Sequence, residues 1–339
     1  MRIIDRQTIT KMCLIETTKR LTQLRFSQAG NKYDTMLATI VKSSGRKMMS
    51  KTNFIFLFLT SVLWINTAAQ EANIGQLEEL GPYQIERYND FPTVPQFANA
   101  DIYYPKSHIQ TQKFGGVAIS PGFREKKENL SWWGELLASH GFAVLILDTN
   151  TLNDLPEIRA EALIAGVNVL RSEGTRNASP LSGKIEPENM AVMGHSMGGG
   201  GALLAAQLYA DQLKAAIPLT SWQPDGHFSK ISIPTLAIAG EVDRIADSDI
   251  HAFPHYRSLR SNVAKMYIEI KNGNHFIANT ATGQNRLQPN IDVHDLVGRF
   301  GIAWLKLFLD EDESYRPLVF GNMPEKDIKR ISRWEFYEN

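Results

Sequence analysis

Short, almost wholly apolar runs alternate with longer amphipathic stretches from about residue 115 to residue 310. "GGVAIS" (Gly115–Ser120), "FAVLILD" (Phe142–Asp148) and "NMAVMG" (Asn189–Gly194) predict strands buried on both faces, as do "AAIPLT", "PTLAIAG" and "KMYIEI" farther along. The intervening segments Leu130–Gly141, Pro156–Gly174, Gly201–Leu213 and Asp295–Asp310 predict helices. Strands alternating with helices in this way predict an α/β fold, a mainly parallel sheet covered on both faces. Two earlier segments, around "YQIERY" and "ADIYYP", predict antiparallel strands at one edge. No repeat, linker or low-complexity block interrupts residues 70–339, which read as one domain.

A different pattern precedes that domain. Lys51 leads into the apolar run "FIFLFLTSVLWI" (Phe54–Ile65), and Thr67 and Ala69 supply the small residues of a cleavage site before Gln70. Twelve residues are too few to span a bilayer, so no membrane anchor is expected. Residues 48–69 are expected to be a signal peptide and the mature chain to be secreted, extracellular or periplasmic, after cleavage near Ala69/Gln70. Signal peptides begin at the N-terminus, and Met48-Met49 stands just before the basic segment. Residues 1–47 therefore read as an upstream extension with no fold of their own.

Composition supports this division. The formal net charge is zero, but residues 1–69 hold 11 of the 36 Lys/Arg and only 3 of the 36 Asp/Glu, leaving 25 basic against 33 acidic residues beyond. A mildly acidic body argues against nucleic acid as a partner. Cys13 is the only cysteine and lies in the extension, so the mature chain would have no disulfide, thiolate metal site or cysteine nucleophile. The scattered acids are no evidence of a metal site, and a monomer is expected.

The chemistry centres on "GHSMGGGG" (Gly194–Gly201). A Walker loop needs Lys-Ser/Thr after its last glycine, but Ala202, Leu203 and Leu204 follow; a dinucleotide fingerprint needs a different glycine spacing. The pattern G-x-S-x-G does fit, between a strand and a helix. That context marks a nucleophile elbow with Ser196 as nucleophile, where glycines make room for a sharply turned backbone. Gly199 and Gly200 would let the following helix pack closely on neighbouring strands.

A serine hydroxyl needs an oriented base, and in elbow enzymes the order is Ser, acid, His. Of the eight histidines, His275 and His294 follow the acid region. His275, in the loop "KNGNHF" after a late strand, ranks above His294, which precedes the last helix. Among Glu241, Asp243 and Asp247, Asp243 ranks first because it lies at a strand end, with Glu241 second. The oxyanion hole needs two N–H groups. Met197 supplies one as the residue after the nucleophile; Phe123, in "PGFRE" after the first parallel strand, is the candidate for the other, its ring lining the cleft or simply packed.

With these residues in place the chain resembles the bacterial cutinase-like polyester hydrolases, the group that includes poly(ethylene terephthalate) hydrolases, within the α/β-hydrolase superfamily. The likeness runs from about Gly81 to Asp310 and rests on "IYYP", "SPGF", "WWGELLASHGFAVLILDTN", "GHSMGGGGALLAA", "GEVDRIA", "NGNHFIAN" and "AWLKLFLD". It implies an α/β-hydrolase fold and ester hydrolysis without a cofactor, on ester or polyester substrates. It assigns Ser196, Asp243 and His275 as the triad, with the N–H groups of Phe123 and Met197 as the oxyanion hole. Trp222 matches the family's cleft tryptophan, and His195, Ile245 and Phe276 match positions flanking the cleft. A small-ester or lipid esterase, and a non-catalytic binding protein on a hydrolase scaffold, are the alternatives. The tail "LVFGNMPEKDIKRISRWEFYEN" lacks the family's usual cysteine, so Trp334 and Phe336 are expected to secure it by packing. The start of the domain lacks the usual glycine-rich stretch, and the bulk of Phe276 implies a narrower cleft.

Overall fold

The computed structural model describes residues 77, 80–107, 109, 111–224, 226–280, 288–321 and 323–338. The expected extension (1–47) and signal peptide (48–69) lie outside the described residues. Among these, the strands β1 (Ile85–Tyr88), β2 (Asn99–Pro105), β3 (Phe114–Ser120), β4 (Phe142–Asp148), β5 (Ile185–His195), β6 (Ala215–Leu219), β7 (Thr235–Gly240), β8 (Lys265–Ile270) and β9 (Ile331–Tyr337) form one sheet. Its order is β1-β2-β4-β3-β5-β6-β7-β8-β9. The six strands β3 to β8 run parallel, while β1, β2 and β9 join antiparallel at the two sides. The helices are α1 (Ser131–Ser139), α2 (Pro156–Glu173), α3 (Met197–Leu208), α4 (Ala252–Ser258), α5 (His294–Phe308), α6 (Arg316–Phe320) and α7 (Glu325–Ile328).

The continuous apolar strands follow from burial on both faces. Successive side chains point to opposite sides of a strand, and each set enters its own core. Val117, Ile119, Val144, Ile146, Met193, Ile217, Ile238 and Ile268 pack with α1 and α5 on one face. Ala118, Leu145, Leu147, Val192, Ala216, Ala237 and Tyr267 pack with α2, α3 and α4 on the other. On that second face small residues let a helix sit close. A Cβ on Gly166 of α2 would lie 3.3 Å from the Ala118 Cβ and 3.1 Å from the Leu145 side chain.

The chain leaves β3 for β4 on one side and then returns to β5 on the other, so the strand order reverses between β3 and β5. In open α/β sheets such a reversal opens a crevice at the carboxyl ends of the strands. The segments that carry Phe123, Ser196, Asp243 and His275 all follow such carboxyl ends, those of β3, β5, β7 and β8.

The tail is secured without a disulfide. β9 pairs with β8, Trp334 packs on Phe336 with ring centroids 5.1 Å apart, and Phe320 meets Phe336 at 5.8 Å. Arg330 grips Asp295 through two bonds of 2.7 Å, and buried Arg299 pairs with Asp327, tying α5 to α7.

Candidate active site

The elbow forms because its glycines have no room for side chains. A Cβ on Gly194 would lie 2.2 Å from the carbonyl oxygen of Gly198, and one on Gly198 would lie 2.2 Å from that of Ser120. Between them Ser196 turns the chain from β5 into α3 with φ 56° and ψ −119°, a region a non-glycine residue adopts only when its surroundings impose it. Three bonds impose it here. The Ser196 N–H donates to the Leu219 carbonyl, and the Ser196 carbonyl accepts from Trp222 and Gly200 N–H groups. The next glycines seat the helix, since a Cβ on Gly200 would lie 2.3 Å from the Trp222 carbonyl oxygen. α3 accordingly begins at Met197, four residues before the stretch from which a helix was expected, and ends at Leu208.

The hydroxyl that the elbow presents meets a buried imidazole. Ser196 Oγ lies 2.9 Å from His275 Nε2, and His275 Nδ1 lies 2.7 Å from Asp243 Oδ2. The other Asp243 oxygen accepts the N–H groups of Ile245 and Ala246, both at 2.8 Å. A carboxylate held this way accepts a proton bond from Nδ1, which leaves Nε2 as the acceptor facing the hydroxyl. Burial pushes the His275 imidazole below its ordinary value; the Asp243 bond pulls it upward and the charge on nearby His195 lowers it further. This lowering favours the neutral imidazole, the form able to take a proton.

The loop bearing His275 is anchored on both sides. Asn274 Oδ1 accepts the Phe276 N–H, and the indole N–H groups of Trp132 and Trp133 both donate to the Ala278 carbonyl, at 3.1 and 3.0 Å. The rival residues are engaged elsewhere. His294 stacks on Trp132 at 4.1 Å, and Glu241 accepts the Asn272 N–H.

Across the serine, Phe123 keeps 38% of its surface exposed, and Met197 opens α3. First-turn N–H groups of a helix have no partner within it, and Phe123 stands on the loop that faces them after β3. Trp222 and Ile245 are half-buried. His195 and Phe276, expected to flank the cleft, both lie buried beside His275. They are 0% and 1% exposed. His195 lies beneath the serine because it ends β5, where its side chain alternates away from the surface that Ser196 faces.

Three buried residues were not singled out from sequence. Arg159 donates to the carbonyls of Pro121, Leu152 and Asp154, joining the β3 and β4 loops. Glu125 bonds to both His195 and Asn279, and Asn279 Nδ2 lies 3.0 Å from His195 Nδ1. Glu125 and Asn279 are the last residues of "PGFRE" and "NGNHFIAN", and no pattern in the sequence marks them or Arg159.

Comparison with known proteins gives the family. The PET hydrolase-like family model matches residues 72–336. The chain is 39% identical to Cutinase 1 of Thermobifida cellulosilytica over 236 residues, covering 69% of this chain and 83% of the relative. It is 39% identical to a cutinase of Thermobifida fusca over 236 residues, covering 69% and 72%. To the bis(hydroxyethyl) terephthalate hydrolase of Streptomyces coelicolor it is 37% identical over 253 residues, covering 74% and 75%. The chain belongs to the PET hydrolase-like family and, like these relatives, is an enzyme of the carboxylic ester hydrolase class.

Proposed function

We propose that the chain cleaves carboxylic ester bonds in polyesters, aliphatic and aromatic, by way of an acyl-enzyme on Ser196. The observation that carries this reading is the unbroken series of short hydrogen bonds from Ser196 through His275 to Asp243 on a strained elbow. As the hydroxyl attacks the ester carbonyl, His275 Nε2 takes its proton and Asp243 stabilises the imidazolium. The N–H groups of Phe123 and Met197 receive the developing oxyanion, and His275 returns the proton to the leaving alcohol. Water activated by the same imidazole then releases the acid. Removing one oxyanion donor would cost roughly 100–1,000-fold in rate.

The polymer part of the reading draws on the relatives' names, two cutinases and a bis(hydroxyethyl) terephthalate hydrolase. Phe123, Trp222 and Ile245 would offer apolar surface to the chain segments on either side of the bond. The apolar run beginning at Phe54 supports export, which would bring the enzyme to polymers outside the cell.

A substrate panel tests this. The purified enzyme should release soluble acids from aliphatic and aromatic polyester films as well as from p-nitrophenyl butyrate, and Ser196→Ala should release none. Hydrolysis of the soluble ester with no product from any film would reduce the function to that of a small-ester esterase.

A further inference from the structure

Beneath the serine lies a second buried acid–imidazole pair that the steps above do not use. Glu125 is 3% exposed, and His195 and Asn279 are both 0% exposed. Glu125 Oε2 accepts the Gly122 N–H at 2.7 Å and lies 2.8 Å from His195 Nδ1, while Oε1 accepts from Asn279 Nδ2 at 2.8 Å. The other ring nitrogen, His195 Nε2, lies 2.8 Å from the backbone carbonyl oxygen of His275, which also accepts from Thr220 Oγ1 at 3.2 Å.

His195 Nε2 faces a carbonyl, which can only accept, and Nδ1 faces the Glu125 carboxylate, with the Asn279 NH2, itself a donor to Glu125, 3.0 Å from Nδ1. The arrangement is satisfied when His195 donates from both, as an imidazolium paired with the Glu125 carboxylate. The titration directions agree with that state. Burial works against the charge on each partner, yet the pairing prevails, holding Glu125 below and His195 above their ordinary values.

The pair joins the two sides of the reaction centre. At one end it fixes Gly122, whose N–H points at Glu125 and whose place is so tight that a Cβ would lie 2.9 Å from that of Ser196. Phe123, the candidate oxyanion donor, is the next residue. At the other end it holds the main chain of His275 itself. Burying an ion pair seldom gains stability over an apolar pair of the same volume, so its placement calls for another account.

We propose that Glu125 and His195 are positioning residues, a buried clamp that sets the loop of Gly122 and Phe123 at its working separation from His275. This rests on the hydrolase reading above. A shift of about 1 Å between groups that must act together can cost roughly 100-fold in rate. The clamp acts on reacting groups rather than on substrate, so its loss should appear in kcat and not in KM.

The test compares the wild type with Glu125→Ala, Glu125→Gln, His195→Phe and Ser196→Ala, measuring kcat and KM on p-nitrophenyl butyrate and the thermal midpoint of each. Glu125→Ala should lower kcat by about 10- to 100-fold, with KM unchanged within about threefold. Glu125→Gln keeps an oxygen for the Gly122 N–H but turns an NH2 toward that of Asn279 and removes the charge opposite His195, so it should recover kcat in part, to a value between those of Glu125→Ala and wild type. His195→Phe keeps ring volume but donates nothing to His275, and should resemble Glu125→Ala. Wild-type kcat in a folded Glu125→Ala variant would overturn the proposal, as would equal losses in Ala and Gln. If Glu125→Ala does not fold, a wild-type kcat in His195→Phe overturns it in the same way. An inactive wild type, or activity in Ser196→Ala, would instead refute the hydrolase reading itself.

Discussion

Asp243 holds His275 with one oxygen and its own loop with the other. Oδ2 lies 2.7 Å from His275 Nδ1, and Oδ1 takes the N–H groups of Ile245 and Ala246. This asymmetry predicts the effect of Asp243→Asn. The two backbone donors keep the new side chain's oxygen on their side, so its NH2 faces His275 Nδ1. A neutral imidazole would then carry its proton on Nε2, the atom that should accept from Ser196. We expect kcat on p-nitrophenyl butyrate to fall roughly 10³–10⁴-fold with little change in melting temperature.

The pH profile follows from the burial of His275. Its imidazole is held below the ordinary histidine value of about 6.5. A general base works only when neutral, so kcat/KM falls as the pH drops through that lowered value and not before. At pH 6.5 the enzyme should therefore keep more than about half of its kcat/KM at pH 8. An acid limb centred at pH 7 or above would show that the imidazole is more easily protonated than its surroundings imply.

Two glycines separate lack of space from backbone conformation. A Cβ on Gly198 would meet the Ser120 and Pro121 carbonyl oxygens at 2.2 and 2.5 Å, backbone atoms that cannot swing aside. Gly198→Ala should cost about 3 kcal/mol or more in denaturant unfolding, and should also displace the loop of Phe123. Gly183 has φ 75° but nothing within 4 Å of an added Cβ. Gly183→Ala should cost only about 1–2 kcal/mol and leave kcat unaltered.

His255 predicts an acid limit on stability that is independent of catalysis. Its Nε2 faces the Gln223 carbonyl at 2.9 Å, so it donates there, and Nδ1 accepts from the Ser221 hydroxyl at 3.0 Å. Burial, with a weaker opposing pull from the Gln223 bond, pushes its pKa down to about 4. The unfolded chain, at about 6.5, binds the proton more readily, so stability rises with pH between these values and is lost as the pH falls from about 6.5 to 4. The loss from this one group is of order 3 kcal/mol. Unfolding measured at pH 7 and pH 4.5 should show a smaller difference in His255→Gln than in the wild type.

The parallel strands were legible because burial on both faces leaves an unbroken apolar run. The elbow was legible because its glycines are dictated by backbone contacts within the motif. β9 carries no clear strand signal, for "ISRWEFY" is a half-exposed edge strand whose pairing with β8 depends on the finished sheet. The sequence hides the start of α3 because four glycines (Gly198–Gly201) are poor helix formers, and the packing of neighbouring strands overrides that preference. Ser196, His275 and Asp243 are brought into contact as ranked from chain order, whereas the contact between Glu125 and Asn279 spans 154 positions and has no local pattern. His195 and Phe276 were expected at the cleft by resemblance, and only the register of β5 and the fold of the His275 loop bury them.

The central claim is that Ser196 is the residue that becomes acylated, and covalent labelling tests it most directly. The enzyme would be reacted with a fluorophosphonate probe, digested, and the modified peptide identified by mass spectrometry, with Ser196→Ala treated in parallel. The account predicts one adduct per chain, on Ser196 in "GHSMG", and none in the variant. An adduct on another residue, or undiminished ester hydrolysis by Ser196→Ala, would contradict it.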